Sequence, residues 1–157
     1  MNGKKDLLIL LTVQFGYHTD TYMYCKYLDK ALFNVSYFCF DMNYPKVFLP
    51  DIEVIYIPMN NSRLLSYLNF IVKLRQEIRL KKFHLIFHVH TKFTLLIRFF
   101  TLFSPTVFHI RSGDLSENKS VSGLKNIEIP IASFLYSSVS VISDDLALKI
   151  RISKKKL

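Results

Sequence analysis

The run Leu7-Leu8-Ile9-Leu10-Leu11-Thr12-Val13 narrows the fold more than any other feature of the chain. It carries no charge and no alternation of polar and apolar positions, so it has no solvent side and reads as a strand covered on both faces. Strands of that kind belong to parallel sheets whose connections are crossover helices. The rest of the chain agrees. Val35–Phe40, Glu53–Pro58, His84–His90, Thr106–Ile110 and Val139–Ser143 are rich in β-branched and aromatic residues and predict five further strands.

Helical stretches lie between these runs. Thr19 or Asp20 can cap a helix reaching about Leu32, and Asn61 or Ser62 can open the clearest helix of the chain. In that helix Leu64, Leu68, Ile71, Leu74 and Ile78 recur at three- and four-residue spacing, which predicts them as the inward stripe with Lys73, Glu77 and Lys81 facing elsewhere. Phe93–Phe103, a short segment around Ile131–Tyr136 and a last turn opened by Ser143, Asp144 and Asp145 complete the helices, and polar Leu115–Asn126 predicts a loop. No repeat or linker interrupts the pattern. The expectation is one α/β domain over residues 1–157: Rossmann-like, doubly wound, with a mainly parallel sheet of about six strands and helices on both faces.

Composition excludes several alternatives. Only 4 Gly and 5 Pro are present, too few for an all-β fold dense in tight turns. Cys25 and Cys39 form neither a metal spacing nor a disulfide framework, and they predict buried, reduced thiols. Lys4 and Lys5 precede the first apolar run, but Asp6 interrupts its approach and no small-residue cleavage pattern follows, so no signal peptide is expected. Phe93–Phe103 is too short to span a bilayer and holds Arg98 at its centre. Most of it is expected in the core, with a lesser reading that sets part of its surface at a membrane interface. The formal charge of +9 suits nucleic acid, an anionic membrane or a phosphorylated ligand, but the basic residues form local patches and match no nucleic-acid-binding motif.

In open α/β sheets ligands bind beyond the carboxyl ends of the strands. That rule selects Gln14–His18, His90–Lys92 and Arg111–Asp114. The first loop, with Gly16, Tyr17 and His18, contains one glycine and neither a dinucleotide fingerprint nor a P-loop, so no nucleotide cofactor is expected. Gly16 serves either a tight strand-to-helix turn or a backbone approach to a phosphate or sugar. His88 and His90 point to one face of a strand but lack a third ligand at a recognisable spacing, so no metal is assigned; His88 is expected in the core and His90 in a cleft. Arg111 can clamp a phosphate and Asp114 can hold sugar hydroxyls, while an ordinary turn in which the two pair explains the same residues. The candidate ligand-binding set is therefore Gly16, Tyr17, His18, His90, Lys92, Arg111, Ser112 and Asp114. No catalytic residue is assigned.

The segments Leu85-Ile86-Phe87-His88-Val89-His90, Pro105–Asp114 and Val139-Ser140-Val141-Ile142-Ser143-Asp144, in that order, resemble the N-terminal domain of family-4-like, GT-B fold glycosyltransferases. The resemblance implies an acceptor-binding half of an enzyme that moves a sugar from a nucleotide-sugar to a glycan or lipid-linked acceptor, as in polysaccharide biosynthesis. It implies a donor-binding domain that is missing here or carried separately, and a cytoplasmic location, peripheral at the inner membrane face. By position, Gly16 corresponds to the family's glycine-rich loop, Arg111 to a residue often histidine, and Asp114 to the acidic residue of its loop. The alternative reading of the whole chain is a non-catalytic adaptor at an anionic membrane surface.

Overall fold

In the computed structural model, described here for residues 3–102, 104–111 and 128–143, strand β1 spans Lys5–Leu10. It begins two residues earlier than its apolar run because Lys5 pairs with Phe33 and Leu10 with Phe38, so the partner strand sets its limits. Helix α1 covers Thr19–Tyr27 and ends well before Leu32. Asp29 stops it: its carboxylate accepts from the Ala31 amide at 2.8 Å and its carbonyl from the Leu32 and Phe33 amides, a turn that competes with helix.

Strand β2, Phe33–Asp41, is buried from Val35 to Phe40. It pairs in parallel with β1 on one side and with β3, Ile52–Pro58, on the other. The connection over residues 42–51 contains no helix. Parallel strands are usually joined by longer crossovers, and here the short connection is held by a buried side chain from the loop after β1, described below.

Helix α2, Arg63–Lys81, starts at Ser62, whose hydroxyl accepts from the Leu65 amide, and ends at Lys82 in the left-handed region. Its inward face keeps Ile71 and Leu74 of the predicted stripe and half-buries Ile78, but departs from it at the N-terminal end. Ser66, Phe70, Ile71 and Leu74 are buried, whereas Leu64 and Leu68 are 64% and 48% exposed. Phe70 rings meet Phe38 and Phe40 at 4.7 and 4.6 Å, and burying that phenyl group turns the helix away from the leucine stripe. Lys81, expected outside, binds the Glu53 carboxylate on β3.

Residues 1–86 and 87–157 form two compact units, and the strands follow the order β3-β2-β1-β4-β5-β6. The second unit takes over within β4, Leu85–Val89, and continues through α3, Thr94–Phe100, and β5, Thr106–Ile110. Residues 128–135 form helix α4 before β6, Ser138–Val141, which pairs in parallel with β5. The core of this unit gathers Phe108, Ile110, Ile129, Ala132, Tyr136 and Val139. The strand order and parallel pairings are those of a Rossmann-like, doubly wound sheet, as expected. The predicted loop Leu115–Asn126 and the helix from Asp144 lie outside the described residues. Among the described residues, no helix is long and apolar enough to cross a membrane.

Candidate functional site

The first unit places Gly16, Tyr17 and His18 directly after β1, on the turn into α1. This turn is pinned from beneath by Gln14, which is fully buried. Its Nε2 donates to the Tyr44 carbonyl at 2.8 Å, and its Oε1 accepts from the Met42 and Tyr44 amides at 2.8 and 3.2 Å. One amide group thus satisfies three backbone groups of the connection after β2, groups that a short loop without secondary structure would otherwise leave unmet.

Gly16 has φ +90°, a conformation that L side chains rarely adopt, and a Cβ there would lie 2.4 Å from Val47 Cγ2. Its close neighbour is therefore the connection after β2. Gly16→Ala is expected to destabilise the protein by about 3 kcal/mol, combining left-handed strain with overpacking. In a double-mutant cycle with Val47→Gly, measured by urea unfolding, the steric part should couple by more than about 1 kcal/mol. Full additivity would show that backbone strain alone sets the cost.

Tyr17 is 44% exposed and donates its hydroxyl to the Pro45 carbonyl at 3.0 Å. Its ring lies 4.7 Å from that of Tyr44, itself 46% exposed. The two half-exposed rings thus lie together beyond the carboxyl ends of β1 and β2. Tyr44 escaped the sequence reading because it sits in a stretch without periodicity. Nothing in its own neighbourhood shows that Gln14 draws it to the first loop. His18 is the N-cap of α1: its Nδ1 accepts from the Thr21 amide at 3.3 Å. Thr21 Oγ1 in turn meets the buried Tyr37 hydroxyl at 3.1 Å, so this imidazole anchors the helix start to the sheet.

The second unit brings His90 and Arg111 to the ends of neighbouring strands. The His90 amide donates to the His109 carbonyl at 2.9 Å, which sets the end of β4 beside that of β5. His90 is half-buried as a residue with both ring nitrogens covered, and its ring packs on the edge of Phe108, with centroids 5.8 Å apart. Arg111 follows Ile110 and is half-buried, and Lys92 is exposed. The turn into α3 is held by Thr94 Oγ1, which accepts from the Thr91 amide and donates to the Thr91 carbonyl at 2.6 Å. Between them Phe93 has φ +63°, a costly conformation for an aromatic residue and one that concentrates at ligand-binding sites. Ser112 and Asp114 lie outside the described residues.

Below this edge sits a polar cluster that the sequence did not reveal. His88 is buried as expected; its Nδ1 bonds the Tyr136 hydroxyl, and its Nε2 meets no hydrogen-bond partner among the described residues. Burial first, then the nearby His90 and Arg98, lower its pKa to about 3, so the ring is neutral at ordinary pH. Burial likewise raises the Tyr136 hydroxyl above its ordinary range. Arg98, 5% exposed, lies 5.1 Å over the Tyr136 ring. Cys25 and Cys39 are free and buried, and burial pushes them up to about 11 and 12, which leaves them poor nucleophiles. No group of three metal-ligating side chains forms among the described residues.

No family model matches the chain, and no curated protein does. Among solved structures, the fold is similar to the apo form of the lipopolysaccharide outer core galactosyltransferase WaaB, with a TM-score of 0.59 and 14% identity. The match covers 97% of this chain and 44% of that one, so the chain spans less than half the length of the enzyme it resembles. At that identity the shared property is the glycosyltransferase-like fold.

Proposed function

We propose that these residues form the acceptor-side, N-terminal half of a family-4-like, GT-B glycosyltransferase that moves a sugar from a nucleotide-sugar to a glycan or lipid-linked acceptor. One observation carries the reading: nearly all of the chain superposes on less than half of a galactosyltransferase. The donor-binding half is then a second α/β domain, whether it continues this polypeptide or belongs to another. The paired Tyr17 and Tyr44 rings give the acceptor a stacking surface in one unit. In the other, Arg111 and Lys92 supply donors for phosphate or hydroxyl groups.

The test is binding by the 157-residue chain itself, followed by saturation-transfer NMR. Glycan oligosaccharides should bind, and Tyr17→Ala or Tyr44→Ala should weaken them about tenfold, the loss of one aromatic contact of roughly 1 kcal/mol or slightly more. Nucleotide-sugars should bind weakly or not at all, and no transfer should occur. Tight nucleotide-sugar binding with turnover by this chain alone would overturn the assignment, as would the absence of any glycan binding.

A further inference from the structure

At the amino ends of β1, β2 and β3, the end of the sheet opposite the candidate loops, the first unit carries a cleft of about 550 Å³. That volume lies within the range of small-molecule sites. Side chains two apart on a strand share a face, so Asn34 and Ser36 lie on the face of Phe38 and Phe40, which meets Phe70 of α2. Asp6 pairs in register with Asn34, and Glu53 with Ser36, so a polar row crosses three strands of an otherwise apolar face. Its own hydrogen bonds preorganise it. Asn34 Nδ2 donates to Asp6 Oδ1 at 3.1 Å, and the buried Ser36 hydroxyl donates to Glu53 Oε2 at 2.7 Å. Lys81, in the last turn of α2, binds that same Glu53 oxygen, and Oε1 accepts no hydrogen bond among the described residues. Lys4 and Asp51 also line the cleft; both are exposed and enter no ion pair among the described residues.

Three carboxylates and two ammonium groups line this cleft, so neither sign of charge dominates it. A phosphate group would face Asp6, Asp51 and Glu53 together. A metal ion would face Lys4 and Lys81 and would have to take Glu53 from its lysine. A hydroxyl group suits both signs, because it donates to a carboxylate oxygen and accepts from an ammonium or amide nitrogen. Phe33, Val35 and Ile52 add an apolar wall. A ligand with several hydroxyls and an apolar C–H face uses the mixed lining and that wall at once. We propose that this cleft binds a neutral saccharide, with Asp6 and Glu53 accepting from its hydroxyls and Lys4 donating to them. The proposal goes beyond the sugar-transfer reading, since it needs no donor, no transfer and neither the Tyr17 nor the Tyr44 ring.

The experiment is an amide-resolved NMR titration of the full 157-residue chain with maltotriose and with galactobiose, and with inorganic phosphate for comparison. At least one saccharide should shift the amides of Asn34, Ser36 and Glu53, and Tyr17→Ala should leave those shifts in place. Asp6→Asn with Glu53→Gln exchanges two charged acceptors for neutral ones. At about fivefold for each charge-assisted bond, the pair should weaken binding about 25-fold. Lys4→Met changes an exposed side chain ahead of β1 and should weaken binding about threefold even if the double variant fails to fold. Absence of these shifts with both saccharides overturns the proposal. So do shifts that Tyr17→Ala abolishes, which would return the saccharide to the carboxyl-end loops, and affinity unchanged by Lys4→Met and the folded double variant. Phosphate that shifts these amides more than either saccharide would also overturn it and give the cleft to an anion. Cleft shifts without any at the Tyr17 loop would uphold this site and remove the acceptor surface from the sugar-transfer reading.

Discussion

Arg98→Ala is expected to cost the protein about 2–4 kcal/mol, from the cavity left by the side chain and from the carbonyl hydrogen bonds it gives up. The guanidinium is 5% exposed and meets no carboxylate among the described residues. Its compensation comes from carbonyls. Nε donates to Leu135 at 2.8 Å and Nη1 to Thr101 at 2.7 Å, with a longer contact from Nη2 to Leu102 at 3.5 Å. Leu135 ends α4 and Thr101 is the C-cap of α3, so one cation sits on the negative ends of two helices. Burial still lowers its pKa, with the Tyr136 ring opposing, which shows that desolvation is the larger effect.

Truncation removes the cation and takes a donor from the Leu135 and Thr101 carbonyls, the second of which keeps the Ser104 amide at 3.0 Å. Arg98→Lys keeps the charge but replaces a planar fork with a point donor that cannot meet both helix ends, and about 2 kcal/mol of the loss should remain. Urea unfolding followed by far-UV circular dichroism measures both. Near-wild-type stability of the alanine variant would mean that water replaces the guanidinium without cost.

Acidification is expected to destabilise the fold from about pH 6.5 downward through His88. Its folded pKa lies near 3, against 6.5 for an unburied imidazole. Above pH 6.5 the ring is neutral in both states and contributes no pH dependence. Between the two values the unfolded chain takes up a proton that the folded chain refuses, so stability falls with falling pH, by about 1.4 kcal/mol per unit. Below about pH 3 both states are protonated and the loss is complete, on the order of 5 kcal/mol.

Glu53 works in a different window. Its hydrogen bond from Lys81 lowers its pKa below 4.5, so its contribution is present above that pH and is lost beneath it. The interval from pH 6.5 to 5 therefore lies clear of Glu53, and a His88 variant separates this ring from the other four of the chain's 5 histidines. Urea unfolding of wild type and His88→Gln across that interval should show a steeper slope in the wild type, by close to one proton. Equal slopes would mean that the buried ring takes up a proton in the folded state.

The apolar runs, β-branched strands and serine cap of α2 were legible because each is a local signal. Burial on both faces demands an unbroken apolar strand, and a free amide demands a nearby acceptor. The loops at the strand ends could be singled out as candidates for a related reason: in open α/β sheets ligands bind beyond those ends. Which side chains complete those loops was not legible. Gln14 and Tyr44 lie thirty positions apart in the chain, at 2.8 Å in the fold, and no pattern in either neighbourhood predicts their meeting.

The face of α2 shows the limit most clearly. Spacing alone chose Leu64, Leu68, Ile71, Leu74 and Ile78 as the inward stripe, and it was right for Ile71 and Leu74 but not for Leu64 and Leu68, because a regular helix permits several apolar stripes. Packing added Phe70 in place of the two leucines, because the rings of Phe38 and Phe40 on β2 leave room for an aromatic partner there. The same holds for Arg98, a charge in an apolar run by sequence and the tie between two helix ends in space. The sequence by itself determined the kind and order of the elements, because propensity and periodicity act over a few residues. Only the tertiary structure decided which faces are buried and which polar groups meet, because those depend on shape complementarity between segments distant in the chain.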